Sequence, residues 1–188
     1  MKNNNRTKEY IAERVNDDWF CDLTNEDILP YVFISNDVGF DDGFDSFCSP
    51  ETKAIFYNMV QQMLDIFLDF SDKLDESKCF VGPFHNINNY EHWTNKEEFD
   101  CFNELKKHIK NDAYLEVGLT ENKELIGLII ENNFRYLTQI SICFPKTSIL
   151  VRPTHHMETI VYSRHFDKYK NILAEIVKSK GWKLIDRT

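Results

Sequence analysis

Gln139-Ile-Ser-Ile-Cys-Phe-Pro-Lys-Thr-Ser-Ile-Leu-Val-Arg-Pro-Thr-His-His-Met-Glu-Thr-Ile-Val-Tyr-Ser163 reads as three short strands in succession. The runs over 139–144, 148–152 and 158–163 are rich in Ile, Val and Tyr, side chains that suit a pleated, half-buried surface. Pro145-Lys146 and Pro153-Thr154 separate them, and connections this short make antiparallel neighbours, a meander. After the meander the spacing predicts a helix over 166–180, with Lys178 and Lys180 in its last turn and Gly181 as the residue that stops it. Trp182-Lys-Leu-Ile185 adds a final strand.

Upstream, Phe56, Val60, Met63, Phe67, Phe70 and Leu74 recur at steps of three and four, one unbroken apolar helix stripe. Ser49-Pro50-Glu51 opens that helix with a capping residue, a proline at the first helical position and an acid in the first turn. Asp65, Asp69, Asp72 and Glu76 share its other side, since Asp65 lies about 200° around the axis from Phe67. Further elements are a short helix over 7–15, a strand over 31–34, a Gly/Asn/Asp loop over 35–46 and a loop over 79–93. Thr94-Asn-Lys-Glu97 is a capping box opening a helix to about residue 111. A strand follows over 114–119. The run Leu125-Ile-Gly-Leu-Ile-Ile130 is either a strand after a turn at 121–123 or a buried helix. Helices first, then a meander, then a helix, is a segregated order. It predicts a single α+β domain over 1–188 with an antiparallel sheet.

The chain has 188 residues and a net charge of −9, unevenly spread. Residues 17–100 carry nineteen acidic and four basic groups, net −15; residues 101–188 carry ten acidic and fourteen basic groups, net +4. The shift near residue 100 suggests an acidic lobe, 17–100, and a mildly basic sheet lobe, 101–188. A field of that sign attracts cationic partners and repels phosphate, so direct nucleic-acid binding is not expected. The longest aliphatic run is far short of the ~20 residues that span a bilayer, and no membrane association is expected. Five cysteines without a C-x-x-C, and no apolar segment after the basic N-terminus, predict reduced thiols and a cytoplasmic protein.

The chemistry-bearing residues are few. His155, His156 and Glu158 form the most suggestive cluster. If 156–162 is a strand, His156 and Glu158 point to one face, as two metal ligands or as a base and its orienting carboxylate, with Arg152 near to stabilise an anion. The patterns of zinc deaminases and of helical H-E-x-x-H sites are both absent. Asp37, Asp41, Asp42 and Asp45 invite a calcium reading, but counting an EF-hand from Asp37 puts Asp42 where Gly is required and Cys48 where Glu is required. His92-Trp93-Thr94 is a single His-x-Thr where paired-motif phosphoesterases need two. Cys48 or Cys101 would need a histidine brought in by the fold. Six glycines compose no G-x-G-x-x-G, Walker A or G-x-S-x-G motif, and no cofactor is expected.

The expectation that best fits these facts is a non-enzymatic, acidic protein-binding inhibitor. It would hold a basic partner, a toxin or nuclease, through Asp37, Asp41, Asp42, Asp45, Asp65, Asp69, Asp72 and Glu76. Its concrete form is an immunity protein or antitoxin of a bacterial or phage conflict system. One alternative is a small metal-dependent hydrolase with His155, His156 and Glu158 as ligands and Arg152, His156 and Glu158 as catalytic groups. A second is a DNA-mimic inhibitor whose acids stand in for phosphates. The oligomeric state is not legible in the sequence.

Overall fold

The computed structural model describes residues 31–36, 49–82, 84, 96–109, 114–163 and 165–186. In chain order these form β1 (Tyr31–Ser35), α1 (Pro50–Lys73), β2 (Lys78–Gly82), α2 (Lys96–His108), β3 (Leu115–Gly118), α3 (Lys123–Phe134), β4 (Ser141–Phe144), β5 (Ile149–Pro153), β6 (Thr159–Ser163), α4 (Phe166–Ser179) and β7 (Lys183–Asp186). All seven strands join one antiparallel sheet in the order β3-β2-β4-β5-β6-β1-β7. The chain is therefore α+β, with the meander β4-β5-β6 at the centre.

The order of elements differs from the helices-first expectation. Strands β1, β2 and β3 alternate with the helices and are added to either side of the meander. Segments from both sides of residue 100 interleave in this sheet, so the charge shift there marks no boundary within it. Lys78-Cys-Phe-Val-Gly82 is a strand rather than the start of a loop, buried from Cys79 onward. A strand covered on both faces loses the alternation by which strands are recognised. The 125–130 run lies in helix α3, which continues to Phe134; the preceding β3 pairs with β2 instead of turning back on itself.

One face of the sheet carries the main core. Val32, Ile34, Cys79, Val81, Val117, Ile142, Phe144, Ile149, Val151 and Val161, at alternate strand positions, pack against the buried residues of the helices. Phe67 stacks on Phe144 at 4.8 Å and Phe70 meets the same ring edge-on at 6.2 Å. Ser49 caps α1 through its side chain, which accepts from Thr52 N–H at 3.2 Å, while Thr52 Oγ1 accepts from Ser49 N–H at 3.2 Å. The other sheet face holds a smaller cluster of Phe80, Cys143, Leu150 and Tyr162, with Tyr31, Tyr114 and Ile160 beside it.

Three helices end alike, with the residue after the cap in the left-handed region and paired bonds back into the last turn. In α4 this residue is Gly181 (φ 79), and Trp182 N–H reaches Val177 O at 3.0 Å, as the sequence predicts. In α1 it is Asp75 (φ 55), and in α3 it is Tyr136 (φ 60). Asn133, 1% exposed, then fastens the end of α3 to the sheet. Its Nδ2 donates to Ile140 O at 2.6 Å and to Pro153 O at 3.1 Å, while its Oδ1 accepts from Thr138 Oγ1 and Ile140 N–H. Phe144→Ala is expected to lower the unfolding free energy by about 3–5 kcal/mol in urea titrations, since the ring is fully buried and two other rings rest on it.

Candidate functional site

The acids of α1 do not form the single face that their spacing suggests. Helix α1 stops at Lys73, and the turn built on Asp75 swings Glu76 out of the stripe. Glu76 is 5% exposed, and its Oε1 accepts from Thr147 N–H at 2.9 Å and Thr147 Oγ1–H at 3.0 Å. It ties the α1–β2 turn to the β4–β5 turn and is not a docking residue. Asp69 and Asp72 are exposed and Asp65 is half-buried. Asp65 accepts from Gln61 Nε2 at 2.9 Å, and Asp69 meets Lys180 Nζ at 2.9 Å. Asp37, Asp41, Asp42, Asp45, Cys48 and the His92-Trp93-Thr94 motif lie outside the described residues.

His155 and His156 occupy a turn, not a strand. Strand β6 begins only at Thr159. Met157 N–H bonds to Thr154 O at 3.0 Å, Thr154 N–H bonds to Glu158 O at 2.8 Å, and Met157 has φ 55. This is a three-residue hairpin loop with its last residue left-handed, and the two histidines are its centre. The period-two alternation that would bring His156 and Glu158 to one face is therefore lost. Instead the two imidazoles lie 3.8 Å apart, and His155 rests on the exposed Tyr136 ring at 4.5 Å. Burial, and then the neighbouring His156, lower the pKa of His155. Among the described residues no three His, Cys, Asp or Glu side chains are grouped to hold a metal ion, and His155, His156 and Glu158 are not such a group. Arg152 does not join the tip either: on β5 its Nε–H donates to Ser141 Oγ at 2.9 Å.

The cluster that sequence reasoning missed is centred on Arg135, whose side chain is wholly buried. Its Nε–H donates to Glu131 Oε1 at 2.9 Å, and its Nη2 donates to Glu97 Oε1 and to Tyr57 Oη, each at 2.8 Å. Its guanidinium carbon sits 4.8 Å from the Phe56 ring centre. Tyr57 Oη–H donates to Glu97 Oε1 at 2.8 Å, and Lys53 Nζ pairs with Glu97 Oε2. Lys53 and Tyr57 come from α1, Glu97 from α2, and Glu131 and Arg135 from α3 and its cap, so one guanidinium locks three helices. The only trace of this in the sequence is the i,i+4 pair Glu131–Arg135.

The thiols and the phenol around these clusters are poorly suited to nucleophilic work. Burial pushes the Cys101 and Cys79 thiols up and Cys143 to about 12. Burial and then the hydrogen bond to Glu97 raise Tyr57.

The hydrogen bond from Lys53, joined by those from Arg135 and Tyr57, holds the Glu97 carboxyl at about 2 instead of 4.5, against the opposing pull of burial. A carboxyl depressed on folding contributes stability above its unfolded pKa and loses it as the pH falls through the folded one. Wild-type protein should therefore lose stability between pH 4.5 and about 2, and Glu97→Gln should flatten that part of the profile in chemical denaturation. Glu76→Ala, which removes the acceptor of the part-buried Thr147 N–H and hydroxyl, should cost about 1–3 kcal/mol. Asp72→Asn, on an exposed side chain, should stay within about 0.5 kcal/mol of wild type in the same assay. No protein-family model, curated protein or solved structure matches the chain.

Proposed function

We propose that this chain is a non-enzymatic binding protein that neutralises a basic protein partner through its acidic surface, most concretely an immunity protein or antitoxin against a basic toxin or nuclease. The observation that carries this reading is the charge balance. Residues 17–100 hold nineteen acids against four bases. Among the described residues, cations from beyond residue 100 meet these acids in exposed or partly exposed pairs, Lys146 with Asp75 and Lys180 with Asp69, and in the buried pair Arg135–Glu97. An acidic surplus of this size along the sequence favours a cationic partner. Asp65, Asp69 and Asp72 supply the helix part of the surface. The Lys180–Asp69 pair is partly exposed and worth about 0–1 kcal/mol, so it opposes recognition little.

Partner capture from a lysate of the cells that encode the protein tests this, at low salt and again near 0.5 M, where the Debye length falls to roughly 4–5 Å. A basic protein retained in stoichiometric amount at low salt, released at high salt and lost from the variant carrying Asp65→Asn, Asp69→Asn and Asp72→Asn is the expected result. Equal retention by that variant would remove the α1 acids from the interface. A captured DNA-binding protein released by duplex DNA would favour the DNA-mimic reading instead.

A further inference from the structure

Helix α2 is held differently from the helices beside it. Among the described elements α3 is the one along which it runs closely, whereas α1 lies against both α3 and α4, and α3 also reaches β5. Two apolar side chains of α2 are buried, Phe102 and Leu105, against five in α3. Much of the rest of the α2–α3 seam is polar. Asn132, 0% exposed, donates from Nδ2 to Cys101 Sγ at 3.2 Å and to Leu128 O at 2.8 Å, while its buried Oδ1 meets no donor among the described residues. Glu97, in the first turn of α2, carries the tie to the other helices: Lys53 and Tyr57 reach it from α1, and Arg135 from the end of α3.

A folded chain opens in units, and the units that open most readily are those with few buried apolar contacts. Lifting α2 exposes two large apolar side chains, whereas parting α1 from the sheet exposes Phe56, Met63, Ile66, Phe67 and Phe70 together. The orphaned Asn132 carbonyl weakens the closed seam further, because a buried acceptor without a donor is costly. The charge-assisted bonds converging on Glu97 therefore supply a large share of what holds α2 down. We propose that α2 is a releasable strap, pinned at Glu97, that lifts from α3 as a unit while the sheet, α1 and α4 stay folded, and that its release uncovers Arg135, Asn132 and Cys101. This inference does not depend on the protein-binding reading.

Hydrogen exchange of the full chain, resolved along the sequence and corrected for intrinsic rates, tests the proposal. In the wild type the amides of residues 102–107 should exchange at least about tenfold faster than those of β4 and β5, since the two report different openings. Glu97→Gln keeps the shape of the pin and removes its charge, and should speed exchange in α2 by about tenfold or more. Lys53→Met, on a partly exposed side chain, should act in the same direction by a smaller factor and carries the test if Glu97→Gln does not fold. Ile142→Val, a small deletion in the main core, should speed β4 and β5 by about twofold to tenfold and leave α2 unchanged. Exchange in α2 as slow as in the sheet of the wild type, or speeded together with the sheet by Ile142→Val, would overturn the proposal by making α2 part of the global unit. Unchanged α2 exchange in both pin variants would overturn it as well.

Discussion

Burial of one face of the sheet beneath the α1 stripe is the constraint on which the other features rest. Phe56, Met63, Ile66, Phe67 and Phe70 are at most 3% exposed, and Phe67 and Phe70 both close on Phe144 of the meander. At roughly 1.5–3 kcal/mol for each large apolar side chain removed from water, this contact outweighs any single polar interaction in the molecule. It sets where α1 must end, because Leu74 still belongs to the core while the chain has to turn back into β2. The left-handed Asp75 makes that turn, and Glu76 is carried inward to Thr147 as a consequence.

The same packing brings the two charge segments together. Lys180 follows α4, which lies alongside α1, and reaches Asp69. Lys146, in the turn after β4, reaches Asp75 beside the β2 side of the sheet. These pairs are exposed and individually weak. The Arg135 cluster is of another kind: there the guanidinium is fully enclosed, and its carboxylates and the Tyr57 hydroxyl supply the hydrogen bonds without which its burial would be prohibitive. Arg152 has no carboxylate partner among the described residues and donates from Nε–H to Ser141 Oγ instead.

The histidine tip illustrates how a short motif changes meaning with one residue of register. His156 and Glu158 share a face only if the strand already runs through them. Because the chain closes its hairpin at Thr154 and Glu158, the histidines become turn residues, His155 lying against Tyr136 and His156 against His155. Tyr136 is itself held in the left-handed region as the residue after the α3 cap, and Asn133 keeps that cap tied to Pro153. Among the described residues the arrangement brings no third metal-ligating side chain to the pair.

Strong local periodicity was enough to recover α1, its Ser49 cap, α4 with Gly181, and the three strands of the meander, because each is specified by a stripe or an alternation within its own few residues. It also conveyed the α+β class and the surplus of acid before residue 100. Strand β2 and helix α3 were illegible or ambiguous because elements buried on more than one side lose the polar half of the pattern. Which acids remain on the surface, and which basic groups answer them, was decided only in three dimensions. Glu76 turned inward through a helix stop that one residue of left-handed backbone creates, and Arg135 met Glu97 across 38 residues of chain. Contacts of that range depend on the packing of whole helices, and no spacing along the sequence encodes them.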